Sequence, residues 1–315
     1  MVGDRTQASI LTVDELLDHV TADYAAKGLR SAKTVGYSLQ HLRDYFGGHR
    51  RSGVITTVRV NEYVAFRRQQ GAAHNTIRIE VHLLARAFRL AVRSRRLPER
   101  LQPRIDNLPP DNSTVREGFV TREEMEAICA HLPKDYADVV EFLFHSGWRI
   151  GEARKLQWSS WDRTTRAFRL RAADSKTKRP RFLPCAGLLE PVIERRLAAR
   201  VLGCPWVFHR PAGNKNSPRR APIGDFRKRW HAAVEEASLE AERRRLPHDL
   251  RRSAAKFMVE AGLDPRRAMG FTGHTTMAVF HRYQIVSPDS MREAAELVAA
   301  NGARRSDSAR KANGR

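Results

Sequence analysis

Gly273-His274-Thr275-Thr276-Met277-Ala278-Val279-Phe280-His281-Arg282-Tyr283 sets the character of this chain. A Gly-His turn leads into a short apolar helix, which runs out on a tyrosine nine positions after the histidine (283 − 274 = 9). A phenol has a pKa of about 10, so it attacks only where neighbours take its proton and neutralise its target. Upstream, Arg149, Lys176 and the run His248 to Arg251 are groups of that kind.

The overall charge points the same way. Lys and Arg total 57 against 35 Asp and Glu, a formal net charge of +22. Such an excess selects a polyanionic partner, nucleic acid or an anionic membrane surface. No run of about 18 apolar residues is present, and Met1 to Gln7 is polar with an amphipathic helix beginning at Leu11, so no signal peptide is expected. The expected partner is therefore nucleic acid, with no membrane, in a cytoplasmic setting. Cys129, Cys185 and Cys204 are far apart and lack a Cys-x-x-Cys pairing, which argues against a disulfide framework or a zinc ribbon.

Outward from the tyrosine, periodicity predicts a mainly α chain with a small antiparallel β-sheet in its C-terminal domain. Thr12 and Glu15 form a capping box with Leu11 and Leu16 as its staple, and Val35, Leu39, Leu42 and Phe46 stripe a second helix. A third helix is expected over 57–69, and a fourth over 75–94 carries Ile77, Val81, Leu84 and Phe88. These four helices make a small domain, 11–97. Arg30, Lys33, Arg43, Arg67, Arg68, Arg78, Arg86, Arg93, Arg95 and Arg96 are read as a largely unpaired, phosphate-facing surface.

A stretch rich in Pro, Asp and Asn marks a linker over 98–118. The second domain, 119–300, opens on another capping box, Thr121 with Glu124. Helix is expected to restart at Arg149 and run to Trp158, a hairpin to pair 167–171 with 181–184 around a turn at 174–180, and helices to cover 188–201, 223–237, 249–261 and 288–300. The basic tail, 301–315, has no apolar anchor.

The chemistry assigns itself by residue type. Arg149 and Arg251 suit a phosphodiester, because guanidinium stays charged and forks onto two oxygens. Glu152, at i+3 from Arg149, is placed to hold that guanidinium. His248 titrates near neutrality and is the candidate base for Tyr283. Lys176, at the hairpin tip, could protonate the leaving 5′ oxygen, with Lys178 as its rival. His274 could donate to a non-bridging oxygen. No Gly-x-x-x-x-Gly-Lys-Ser/Thr element and no acidic cluster suggests a nucleotide or metal cofactor, so none is expected.

Taken in order, Arg149 with Glu152, Lys176, His248-x-x-Arg251, His274 and Tyr283 resemble the tyrosine recombinases of the phage integrase family, over about 11–300. Ser146-Gly147 stands where that family often has Thr-Gly. The resemblance implies a four-helix core-binding domain and a catalytic domain closing on double-stranded DNA at specific core sites. It implies a 3′-phosphotyrosine on Tyr283 and strand exchange through a Holliday junction by a homotetramer. It further implies a last helix, 288–300, that docks on a neighbouring protomer or on its own domain. With the first helix starting at Thr12, a simple two-domain recombinase is expected. The competing readings are an architectural or regulatory DNA-binding protein with the same fold and no strand transfer, and a type IB-like topoisomerase. Six chemically competent side chains at the key positions count against the first of these.

Overall fold

The computed structural model describes residues 11–29, 31–105, 118–174, 179–210, 221–239, 245–281, 291–292 and 295–296. The chain divides into two compact units, Met1–Thr114 and Val115–Arg315.

In the first unit the described helices are α1 (Val13–Ala26), α2 (Ala32–Phe46), α3 (Thr57–Gln69) and α4 (His74–Arg93). The expected capping box starts α1: Thr12 Oγ1 accepts from the Glu15 N–H at 3.2 Å, and Glu15 accepts from the Thr12 N–H at 2.7 Å. Leu11 and Leu16 are buried, as are the predicted stripes of α2 and α4. Glu99–Leu101 forms a 3-10 turn, and Leu101 and Ile105 pack on this core. Positions 106–117 of the expected linker lie outside the described residues.

The surface arginines of this unit need a correction. Arg43 pairs with Asp14 at 3.0 Å and Asp18 at 2.6 Å, and Arg86 pairs with Asp23. Arg67 is buried and forks onto Glu80 at 2.9 and 3.0 Å, while the Tyr63 hydroxyl donates to the same carboxylate at 2.8 Å. These acids are contributed by α1 and α4, so a helix-by-helix tally of basic residues overlooked them. Lys33, Arg68, Arg93, Arg95 and Arg96 are exposed, and Arg30 lies outside the described residues.

The second unit contains α5 (Arg122–Ala130), α6 (Lys134–Ser146), α7 (Ile150–Ala153), β1 (Trp161–Asp162), β2 (Ala167–Leu170), β3 (Arg181–Pro184), α8 (Glu190–Ala198), α9 (Arg227–Glu236), α10 (Asp249–Glu260), α11 (Pro265–Thr272) and α12 (Met277–His281). The sheet is antiparallel in the order β1-β2-β3, with Phe168 opposite Leu183 and Leu170 opposite Arg181. The second capping box forms at Thr121 and Glu124. A core of Phe142, Trp148, Phe168, Phe208 and Trp230 joins α6, the sheet and α9. The mainly α fold with a small antiparallel sheet is as expected.

Four local readings change, one of them the helix expected over 223–237, which begins only at Arg227 as α9. The helix expected from Arg149 to Trp158 stops at Ala153 and gives way to a 3-10 turn at Trp158–Ser160. Trp158 accordingly takes its backbone partner from Pro205 rather than from a helix turn. The two-residue strand β1 and the helix α11 are additional elements. The start of α11 was legible in Asp264-Pro265, where the Asp264 side chain accepts from the Arg266 N–H at 2.9 Å and proline takes the first turn. Of the expected last helix, residues 291, 292, 295 and 296 are helical and exposed, and the remainder lies outside the described residues, as does the tail. Among the described residues no helix is long and apolar enough to cross a membrane.

Candidate active site

The site is built around the C-terminal end of α11. A helix end leaves its last carbonyls without intrahelical partners and carries partial negative charge. Here three guanidinium groups from elsewhere in the unit meet that end. Arg181 donates from Nη1 to the Thr272 carbonyl at 2.9 Å and the Phe271 carbonyl at 3.4 Å. Arg251 donates from Nη1 to the same Thr272 carbonyl and, at 2.5 Å, to the Gly147 carbonyl. Arg149 donates from Nη2 to the Gly273 carbonyl at 3.2 Å. The structure thus brings Arg149 and Arg251 together, 102 positions apart in the chain (251 − 149 = 102).

Two glycines make the approach possible. Gly147 ends α6 at φ +63°, and a Cβ there would sit 2.7 Å from Thr272 Cγ2. Gly273 ends α11 at φ +73°, and a Cβ there would run into the Arg181 guanidinium. Both conformations favour glycine, so the two chain reversals put Arg149 and His274 next to one another.

Arg149 caps α7, whose third residue Glu152 accepts from the Arg149 N–H at 3.2 Å and from Arg149 Nη1 at 3.3 Å. The expected pairing of Glu152 with Arg149 is present, yet it is half of the arrangement. Arg181, buried at the start of β3, also donates to Glu152 and lies over the Trp148 ring with its carbon centre 4.5 Å from the centroid. Arg181 is the residue that motif spacing missed. Its signal was strand alternation: in Arg181-Phe182-Leu183 the arginine shares its face with the buried Leu183, while Phe182 is exposed. Three guanidiniums against Glu152 leave an excess of two positive charges (3 − 1 = 2), a setting suited to an anion.

His248 precedes α10 and is exposed. Crowding by surrounding protein, and then the Arg251 charge, hold its pKa below the ordinary histidine value. His274 is buried, and its Nδ1 lies 2.7 Å from Thr272 Oγ1. Burial first, then Arg251 and Arg149, push its pKa down to about 3. Both rings are therefore neutral at pH 7. Lys176, Lys178 and Tyr283 lie outside the described residues; the described part of α12 reaches His281, two positions before the tyrosine. Among the described residues no cluster of His, Cys, Asp or Glu is placed to hold a metal ion.

This mainly helical unit, with its three-stranded sheet and arginine-lined helix end, has the architecture of a tyrosine recombinase catalytic domain. The integrase from phage lambda, as a dimer bound to a COC′ core site, superposes with a TM-score of 0.71 at 18% identity, over 89% of this chain and 78% of that one. A lambda integrase tetramer bound to a Holliday junction gives 0.69 at 18% identity, over 84% and 78% of the two chains. In sequence, tyrosine recombinase XerA of Pyrococcus furiosus is 24% identical over 237 residues, 74% of this chain and 78% of that protein. The phage integrase family profile matches residues 118–289, more than half of the chain, and the protein belongs to that family.

Proposed function

We propose that this protein is a site-specific DNA recombinase that cuts and rejoins strands through a 3′-phosphotyrosine on Tyr283. The observation that carries this reading is the convergence of Arg149 and Arg251 on the adjacent carbonyls of Gly273 and Thr272, beside His274. Two fixed forks of N–H donors at one helix end are suited to the two non-bridging oxygens of a phosphodiester.

In this mechanism the phosphate enters between Arg149 and Arg251, which neutralise its charge as the pentavalent state forms. His248, neutral and open to solvent, accepts the phenolic proton of Tyr283. The phenolate oxygen bonds to phosphorus, the bond to the 5′ oxygen breaks, and Lys176, or Lys178 in the same turn, protonates that oxygen. Religation by a partner strand's 5′-hydroxyl reverses these steps. The phosphotyrosine conserves the bond energy, so the cycle consumes no nucleotide, and the arginines supply the charge that metal ions provide in other phosphodiester chemistry. Within this proposal residues 11–97 form the core-binding domain, 119–300 the catalytic domain, and four protomers act on synapsed DNA at specific core sites in a cytoplasmic compartment. The DNA-bound lambda integrases of the same fold support that partner choice.

A pool of duplexes, nicked beside a randomised position, tests the proposal. The short fragment diffuses away after cleavage, so a recombinase accumulates as a covalent complex that survives denaturation. A protein of the same fold that only binds DNA would bind the pool and leave no such complex.

A further inference from the structure

Thr272 is fully buried at the last position of α11. Its hydroxyl lies 2.9 Å from the Ala268 carbonyl and 2.7 Å from His274 Nδ1. A hydroxyl has one proton to give, and a carbonyl oxygen can only accept. The Thr272 proton therefore goes to the Ala268 carbonyl, one turn back on the helix. The short contact to His274 is then made by an Nδ1–H donating into the remaining lone pair of Thr272 Oγ1.

We infer that Thr272 is a positioning residue that fixes His274 as the Nδ1–H tautomer, leaving Nε2 as the proton-accepting nitrogen of the ring. This rests on the proposed recombinase reading only for its consequence. Among the described residues, the groups that act on His274 include Arg251, Arg149, His248 and Arg181, together with the Phe280 ring edge-on at a centroid distance of 5.4 Å. The cationic ones oppose protonation while the site holds no anion, and burial adds to that, so the ring rests neutral with its lone pair on Nε2. A neutral ring of this tautomer cannot donate from Nε2 to a phosphate oxygen. It does so after binding one proton from solvent, which the negative phosphodiester favours by offsetting the arginines. His274 thus enters the reaction as an acceptor and becomes a donor with DNA in place.

The same residue ties the ring to the rest of the site. The Thr272 carbonyl receives Arg251 and Arg181, while its methyl group faces Gly147. A shift of this residue, backbone and side chain, therefore moves histidine and arginines together.

The test uses the full chain without DNA, so that its result is independent of whether the protein cleaves. The chain is labelled with ¹⁵N-histidine, and the His274 ring signals are assigned by their loss in His274→Gln. At pH 7 the wild type is expected to show a protonated-type Nδ1 and an unprotonated-type Nε2. Thr272→Ser keeps the hydroxyl and is expected to retain that pattern; Thr272→Val, close to isosteric, is expected to lose it. A protonated Nε2 in the wild type, or an unchanged pattern in Thr272→Val, overturns the inference. Should the valine variant fail to fold, the wild-type spectrum alone decides. A retained tautomer with no covalent trapping on nicked DNA would count against the recombinase reading and leave this one standing.

Discussion

Replacing Arg181 with methionine removes the link that holds β3, Glu152 and the end of α11 together. The side chain is buried, is ion-paired with Glu152, donates to the Thr272 and Phe271 carbonyls and stacks on Trp148. Breaking a buried pair by removing one partner costs about 3–5 kcal/mol, mostly because a charge is stranded. Glu152 keeps its two bonds from Arg149, and Thr272 keeps Arg251, so the lower end, ~3 kcal/mol, applies here. The unit Val115–Arg315 spans 201 residues (315 − 115 + 1 = 201). For that size ~3 kcal/mol corresponds to a melting shift of roughly 6–12 °C. Urea unfolding followed by tryptophan fluorescence reports this unit, because all five tryptophans, Trp148, Trp158, Trp161, Trp206 and Trp230, lie in it. Arg181→Lys keeps the charge without the fork and should fall between wild type and Arg181→Met. Arg181→Met combined with Glu152→Gln should cost less than the sum of the two single changes, since the stranded carboxylate is gone. A loss below about 1 kcal/mol in Arg181→Met, the range of an exposed ion pair, or strict additivity in the double variant, would refute the reasoning.

Other perturbations test separate parts of the structure. Glu80→Ala strands Arg67 and deprives Tyr63 of its acceptor, so the first unit should lose about 3–5 kcal/mol, read by far-UV circular dichroism with the tryptophan transition unmoved. Gly273→Ala forces a Cβ into the Arg181 guanidinium at positive φ and should destabilise the second unit by at least ~1 kcal/mol, measured in the same urea experiment. Burial lowers the pKa of His145 to about 4 and that of His274, with the help of Arg251 and Arg149, to about 3. Both values lie below the unfolded value near 6.5, so between these limits the unfolded chain binds more protons than the folded one. Their contribution is complete above pH 6.5 and is lost as pH falls toward 3–4. The urea midpoint should drop over that window, and His274→Gln should flatten the drop; an equal slope in both proteins would contradict it.

Much of this was legible in the sequence, because the relevant signals are local. Both capping boxes, the buried stripes of α2 and α4 and the hairpin strands depend on neighbours within one or two turns, where periodicity carries the information. Arg149, Arg251 and His274 could be singled out because a phosphodiester needs particular residue types, and their order matches a known family. Three-dimensional pairing was not legible. Asp14, Asp18 and Asp23 neutralise arginines of α2 and α4 from across a helix interface. Arg181 looked like one more basic residue of a hairpin, although strand alternation already aimed it inward. Thr272 gave no signal, since its role is a hydroxyl shared between a helix carbonyl and an imidazole two residues on. The short α11 was overlooked in a stretch with few large apolar side chains, where an aspartate cap followed by proline was the available clue.

The catalytic proposal converges on one bond, from the Tyr283 oxygen to a DNA phosphorus. Protein trapped on a nicked duplex can be digested with protease and nuclease, and the peptide carrying a nucleotide sequenced by mass spectrometry. The expected result is a single modified peptide containing Tyr283, attached to the 3′ side of the break, and no adduct from Tyr283→Phe. An adduct on any other residue, attachment to the 5′ side, or strand exchange by Tyr283→Phe would contradict the mechanism.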